Sequence, residues 1–124
     1  MLTENFYGIL KIMKIVVKLL VNSLAVAITA YLLQAGVTID SFFTAVVVAV
    51  VLGVINTFIK PIIILLTLPI NLITLGLFTF VINGLFILLV SSVVAGFDVR
   101  NFWWAVLFGI VLAIINSVLN MFSK

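Results

Sequence analysis

Four asparagines stand out because each one interrupts a long apolar run: Asn22, Asn56, Asn83 and Asn116. A primary amide placed in hydrocarbon without a hydrogen bond costs about 2–7 kcal/mol, so each of these side chains needs a polar partner. The partners are either groups on other helices, through hydrogen bonds of about 0.6–2 kcal/mol each, or water in a polar pathway. The sequence leaves both interpretations open.

Side chains suited to catalysis or metal binding are scarce. The sequence has no cysteine and no histidine, which excludes thiolate or imidazole ligands and any Cys–His nucleophile pair. Asp40 and Asp98 have no acid–base partner beside them in the sequence, and the serines and threonines lack a base. No acid or base lies near the middle of an apolar run, which argues against an ion-coupled carrier. We therefore predict no enzyme, no catalytic residue, no cofactor and no metal site.

The composition is that of a protein whose main solvent is lipid. Of the 124 residues, 67% are hydrophobic and 7% are charged, whereas a soluble domain has about 45–50% apolar and about 25% charged residues. A chain this short has too little interior to bury so much apolar surface. The composition therefore predicts an integral membrane protein.

The apolar runs predict an all-α fold with four transmembrane helices. A spanning helix needs about 20 apolar residues, because a rise of about 1.5 Å per residue must cover about 30 Å of hydrocarbon. The segments that meet this requirement are 15–33, 42–59, 77–95 and 102–121. Short polar turns join the first helix to the second and the third to the fourth, and turns this short force antiparallel hairpins.

The connection between the second and third helices is a broken apolar linker, residues 61–76. Either Pro61 kinks the second helix, which then continues toward Leu68, or the segment lies flat or re-entrant at the membrane surface. Thr67 and Thr74 are seven positions apart and can bond the carbonyls that such breaks release. The residues of this linker motif are Lys60, Pro61, Thr67, Pro69, Thr74 and Gly76.

The basic residues predict the orientation in the membrane. With a cytoplasmic N-terminus, five lysines fall inside and only Arg100 falls outside, as the positive-inside rule requires. Both termini are then cytoplasmic, in the bacterial inner membrane, and the four asparagines lie in the cytoplasmic half of the bilayer. The net charge of +3 then reflects contact with anionic lipid headgroups rather than with nucleic acid. The lysines are Lys11, Lys14, Lys18, Lys60 and Lys124.

Residues 1–14 are predicted to form a short interfacial helix ahead of the first span. Phe6 and Met13 fall on its apolar face, and Lys11 and Lys14 fall on its polar face. A frayed tail is the alternative. Residues 15–124 form the single four-helix transmembrane domain.

An internal repeat divides that domain. Shifted by 60 positions, residues 35–60 align with residues 95–120 without a gap, and the shared residues include a glycine, a phenylalanine and an asparagine. The alignment predicts two tandem hairpins, at about 15–60 and 76–120. An even number of spans per unit makes this a 2+2 parallel repeat with its axis along the membrane normal.

Small residues recur every fourth position on the second and fourth helices. Such a face lets helix backbones approach closely, which promotes association in lipid. It serves either as a contact between copies of the chain or as a contact between helices two and four of one chain. The seam residues are Ala45, Ala49, Gly53, Thr57, Ala105, Gly109, Ala113 and Ser117.

The middle of the chain carries an ordered set of features: an asparagine, a basic residue followed by proline, two threonine-containing breaks and a second asparagine. They are Asn56, Lys60-Pro61, Leu66-Thr67-Leu68-Pro69, Thr74-Leu75-Gly76 and Asn83. In this order and spacing, residues 14–120 resemble the mycobacterial-type four-transmembrane phage holin family. The resemblance implies a small bacterial membrane protein and supplies no catalytic residues.

The resemblance supports two functional hypotheses. Holins accumulate in the inner membrane, self-associate and open lesions that release a phage lysin, which predicts a homo-oligomer that permeabilises the bilayer. Many family members are ordinary chromosomal proteins, some associated with envelope stress, which predicts a non-lytic accessory protein. Residues 61–76 would then contact lipid or a membrane-protein partner. A passive channel, the third hypothesis, rests only on the asparagines.

Overall fold

The computed structural model describes residues 2–74 and 76–122; Leu75 and Lys124, used in the family motif and the charge count, lie outside the described residues. Two three-residue strands, β1 (Val37–Ile39) and β2 (Phe97–Val99), lie in the turns between helices, and a π-helical turn occupies Ile55–Ile59. The α-helices are α1 (Leu2–Leu32), α2 (Phe42–Val54), α3 (Lys60–Leu66), α4 (Leu68–Ile73), α5 (Leu77–Val93) and α6 (Phe102–Phe122).

The helices match the four apolar segments of the sequence. Among the described residues, three helical stretches are long and apolar enough to cross a membrane: Leu2–Leu32, Phe42–Leu66 and Phe102–Phe122. The apolar helix α5 is shorter, at 17 residues, which is the lower limit for a span of about 17–25 residues. The predicted all-helical membrane protein is confirmed at this level of description.

The first helix has no boundary between residues 14 and 15. The predicted segment at residues 1–14 is not a separate helix, because α1 runs unbroken for 31 residues from Leu2 to Leu32; its position at the membrane interface stays a prediction. That stretch contains no proline, and a break would leave up to about four N–H and four C=O groups without helical partners. At about 1.5 Å per residue α1 is about 46 Å long, so it exceeds the hydrocarbon thickness of about 30 Å.

Pro61 is accommodated by widening the second helix rather than by ending it. Proline has no N–H and its ring clashes with the carbonyl four residues earlier. The preceding turn is π-helical, and the N–H of Lys60 donates to the carbonyl of Ile55, five residues back. The helix then continues as α3 to Leu66. The second helix therefore continues through Pro61 as far as Leu66, and α4 (Leu68–Ile73) follows as a separate short helix.

Two threonines mark the ends of the short helices in the linker. The Thr67 hydroxyl donates to the carbonyl of Ile63 at 2.9 Å, and the Thr74 hydroxyl donates to the carbonyl of Ile70 at 2.9 Å. Gly76, at φ 86°, occupies the left-handed conformation from which α5 starts. Large apolar side chains of the linker are exposed in the isolated chain: Ile62, Leu65, Leu66, Leu68, Ile70, Leu72 and Ile73.

The two interhelical turns pair with each other as a two-stranded antiparallel sheet, which the sequence analysis missed. Additional backbone bonds flank the strands, from the Asp40 N–H to the Gly96 carbonyl at 2.9 Å and from the Arg100 N–H to the Gly36 carbonyl at 2.7 Å. The turns pair because strand edges that lie side by side satisfy each other's polar groups. The register places Val37 opposite Val99, Thr38 opposite Asp98 and Ile39 opposite Phe97.

Side-chain caps begin the helices that follow these strands. The Ser41 hydroxyl accepts from the N–H of Thr44 at 3.3 Å, and the Asn101 side-chain oxygen accepts from the N–H of Trp104 at 3.1 Å. Ser41 and Asn101 each stand directly before an apolar run, which is the position at which a short polar side chain caps a helix. We call the end of the molecule that carries β1 and β2 the strand end, and the opposite end, which carries α3 and α4, the linker end.

The hydrophobic core lies toward the strand end. Helix α1 packs on α2 and α6, and α5 packs on α6 and α2. Val37 and Phe97 of the strands are fully buried, and the Phe97 ring lies 5.4 Å from the ring of Phe108 on α6. On α6, Ala105 and Phe108 are the buried residues, so this helix is less enclosed beyond Phe108. The bundle is consequently closed at the strand end and more open at the linker end.

Candidate functional site

The four asparagines of the spans line two clefts between the helices. The larger cleft, of about 180 Å³, lies between α2, α5 and α6, and Asn56, Asn83 and Asn116 line it. The smaller, of about 70 Å³, lies between α1, α2 and α6, and Asn22, Asn56 and Asn116 line it. Because the clefts share lining residues, we treat them as one feature, the asparagine crevice. The shared residues are Leu52, Asn56, Leu112 and Asn116.

Two of the amides have an unsatisfied oxygen. The Oδ1 atoms of Asn22 and Asn116 are buried and accept no hydrogen bond from any described residue. A buried polar atom without a partner costs about 1–3 kcal/mol. A water molecule needs about 10–15 Å³ of cavity volume, so even the smaller cleft has room for several. Water is therefore a suitable partner for these amides within an otherwise apolar bundle.

Lys60 adds a positive charge to the larger cleft. It is half-buried and directly follows the π-helical turn Ile55–Ile59. Asn56 lies four residues earlier, nearly one turn, so the amide and the ammonium group share one side of the helix. No carboxylate of the described residues lines either cleft. The crevice thus offers a cation and several amides without an acidic counterpart.

The small-residue seam is divided between two environments. Ala45, Ala49 and Ala105 are buried in the core at the strand end. Toward the linker end, Gly53 is exposed, and a Cβ added there would meet nothing within 4 Å. Thr57, Ala113 and Ser117 are also exposed, and Gly109 is half-buried. The use of this face between copies of the chain stays a prediction.

The residues of the linker motif do not converge on one point. Lys60 lines the crevice, whereas Pro61 and Pro69 lie in the first turns of α3 and α4. Thr67 and Thr74 bond helix carbonyls, and Gly76 forms the turn before α5. Their roles in this structure are those of a broken helix.

Sequence reasoning assigned Lys60 to the orientation of the chain and to the linker, and missed its place in the crevice. The signal was available in the spacing of Asn56 and Lys60, which are four residues apart on one helix. The apolar walls of the larger cleft, which include Phe86 and Leu112, had no sequence signal, because apolar residues occur throughout the chain.

Replacing Asn116 by leucine tests whether the crevice amides serve stability. We expect Asn116→Leu to leave the melting temperature unchanged or raise it, because the variant removes a buried oxygen without a partner. Thermal unfolding of the purified protein in detergent, followed by tryptophan fluorescence, measures the change. Asn5→Leu, on the exposed start of α1, is the matched control. A free energy of unfolding more than about 1 kcal/mol below that of the control would show that Asn116 stabilises the fold by hydrogen bonding.

Comparison with known proteins gives one family and two relatives. Residues 13–118 match the family model described as mycobacterial 4 TMS phage holin, superfamily IV. An uncharacterized protein of Streptomyces coelicolor is 41% identical over 115 residues, covering 86% of this chain and 92% of the relative. The uncharacterized membrane protein YvlD of Bacillus subtilis is 31% identical over 106 residues, covering 84% of this chain and 87% of the relative. No solved structure matches the chain.

Proposed function

The chain belongs to the mycobacterial 4 TMS phage holin family of superfamily IV, and from this membership we propose that it is a holin-like protein that self-associates and permeabilises the membrane. The membrane is the bacterial inner membrane, and the assembling partners are further copies of the chain. The observation that carries the proposal is the asparagine crevice, in which Asn22 and Asn116 keep unsatisfied amide oxygens between apolar helices.

The proposed mechanism couples association to wetting of the crevice. In one copy, the crevice is a narrow cleft bordered by α1, α2, α5 and α6. Lateral association of copies moves the open linker ends of these helices and turns the amides toward a shared aqueous space. Amide groups favour this state because water supplies the hydrogen bonds that hydrocarbon cannot.

Self-association through the small-residue seam is supported by the exposure of its residues near the linker end. Gly53 is exposed, and no atom of the described residues lies within 4 Å of the position of an added Cβ. Ala113 and Ser117 on α6 are exposed as well. Small exposed residues at four-residue spacing allow close approach of a helix from another copy, with van der Waals contacts that lipid chains do not match.

We also propose that the two hairpins form a 2+2 repeat with an approximate twofold axis along the membrane normal. Positions 60 apart make equivalent contacts: Thr38 faces Asp98 at the centre of the strand register. The Ser41 cap bonds the N–H of Thr44, just as the Asn101 cap bonds that of Trp104. A twofold axis through the centre of the strand pair would generate this correspondence.

The proposed orientation places the strand end outside and the linker end in the cytoplasm. Because the chain contains no cysteine, single cysteines give an unambiguous test. We expect a membrane-impermeant maleimide added to intact cells to label Thr38→Cys, in β1, and to leave Gly8→Cys, near the start of α1, unlabelled. Labelling of Gly8→Cys but not of Thr38→Cys would show that the chain has the opposite orientation.

Inducible expression in a bacterium, with membrane potential followed by a voltage-sensitive dye, tests permeabilisation. A holin-like protein accumulates without effect and then collapses the potential abruptly, with growth arrest at a sharp threshold. Membrane fractionation of the same culture shows how much protein has accumulated. A potential that holds while the protein accumulates in the inner membrane would contradict the proposal.

A non-lytic accessory role is the second candidate, and the exposed linker favours it. Leu65, Leu66, Leu72 and Ile73 are exposed beyond Pro61, and this apolar segment at the linker end is suited to contact with lipid or with another membrane protein. A photo-crosslinking amino acid at Leu72 distinguishes the cases. Crosslinks to one cellular membrane protein, with an unaffected membrane potential, would favour the accessory role.

A further inference from the structure

The larger cleft of the asparagine crevice has a polar part and an apolar part. Lys60, Asn83 and Asn116 supply an ammonium group and two amides, and Phe86 and Leu112 supply apolar surface. A ligand that matches both parts is an amphiphile with a charged head. The volume of about 180 Å³ is below the roughly 300–1,000 Å³ of sites for drug-sized ligands, so it accepts a headgroup while acyl chains stay on the lipid-facing helix surface.

The charge of the cleft selects an anionic head. Asp40 and Asp98 are at the strand end, in the turns between helices. Glu4 lies 18 residues before Asn22 on α1, which is about 27 Å along the helix axis at about 1.5 Å per residue. Lys60 is half-buried, and none of the described residues lining its cleft carries a carboxylate. A partly buried cation is stabilised by an opposite charge, which a ligand can supply here.

The depth of Lys60 matches the phosphate level of a bilayer. Phe42 begins α2 next to the strand end, and Lys60 follows 18 residues later in the same continuous span. At about 1.5 Å per residue the separation is about 27 Å, close to the hydrocarbon thickness of about 30 Å. With Phe42 at one interface, the ammonium group lies at the opposite interface, where phospholipid phosphates are found.

We propose that this cleft binds the headgroup of a single anionic phospholipid. The phosphate bonds the Lys60 ammonium group, the amides of Asn83 and Asn116 bond the headgroup oxygens and hydroxyls, and an acyl chain leaves past Phe86 toward the lipid-facing surface. The site does not depend on permeabilisation: a protein that leaves the membrane potential intact can still bind the lipid, and loss of lipid binding is measured without any leak.

The test uses the purified full chain in an uncharged detergent, with phosphatidylglycerol, phosphatidylcholine or inorganic phosphate added separately. We expect phosphatidylglycerol to raise the melting temperature by several degrees and the other two additions to have little effect. Lys60→Gln should abolish the shift, Lys60→Arg should retain it, and Lys11→Gln, on the exposed start of α1, should retain it as the matched control.

Several results would overturn the proposal. An equal shift with phosphatidylcholine would mean that lipid charge is not recognised, and an equal shift with inorganic phosphate would mean that the site takes a small anion rather than a lipid. Loss of the shift in Lys11→Gln would indicate general surface attraction. If Lys60→Gln does not fold, native mass spectrometry of the wild-type protein decides. One retained phosphatidylglycerol per chain in excess phosphatidylcholine supports the site, and no retained lipid refutes it.

Discussion

Gly53→Ile is expected to abolish self-association and the collapse of membrane potential while leaving the helix bundle folded. Gly53 is exposed on α2, and a Cβ at this position would meet nothing within 4 Å. A Cβ therefore fits the single chain at this position, which lines the smaller cleft, and isoleucine favours the helix over glycine by a few tenths of a kcal/mol. Between copies, the same side chain would hold two helix backbones apart and remove the close packing on which association in lipid depends.

Chemical crosslinking in membranes measures the size of the oligomers, and the voltage-sensitive dye measures the membrane potential. Gly8→Ile is the matched control, because Gly8 is also exposed and also has nothing within 4 Å of an added Cβ. Unchanged oligomer size in Gly53→Ile would refute the proposed contact, whatever the effect on growth.

Among the substitutions considered, Gly36→Val is expected to cause the largest loss in the free energy of unfolding. A Cβ at residue 36 would overlap the ring of Trp104, which lies against the glycine backbone. Residue 36 also accepts the backbone hydrogen bond from Arg100 at 2.7 Å, so neither side can move away without losing contacts at the strand end. Overpacking of this kind costs about 1–3 kcal/mol and sometimes more.

Thermal unfolding in detergent, followed by the fluorescence of Trp103 and Trp104, measures this loss. Gly8→Val is the control for the change in residue type at an open position. A double-mutant cycle isolates the contact: in the background Trp104→Ala, the same change at Gly36 should cost much less, because the ring is gone. Equal costs in both backgrounds would show that the Trp104 contact does not limit residue 36.

The positions of the helices were predictable because lipid imposes a simple rule. A segment that crosses hydrocarbon must be apolar along its length and must satisfy its backbone internally, so apolar runs bounded by polar turns identify the spans. The predicted segment 102–121 and α6 (Phe102–Phe122) differ by one residue. Ser41 and Asn101 were recognisable as caps because a short polar side chain before an apolar run bonds the N–H groups that begin a helix.

Where those helices continue and where they break was less predictable. Pro61 suggested a kink, but only the structure shows that a π-helical turn precedes the proline and that the second helix continues to Leu66. The continuity of α1 through residues 14 and 15 likewise follows from hydrogen bonding along the whole helix. Amphipathic patterning reports the environment of a segment, and it does not report whether the helix breaks.

By itself, the sequence determined that this is a membrane protein of several apolar helices, and it singled out the four asparagines, because side-chain polarity in an apolar run is a local property. Only the tertiary structure decided that these asparagines line one crevice, that Lys60 lines it with them, and that the two turns pair as strands. Those relations join residues up to 94 positions apart, such as Asn22 and Asn116. The packing of α1, α2, α5 and α6 creates them, and the almost uniformly apolar helix surfaces carry no sequence signal for it.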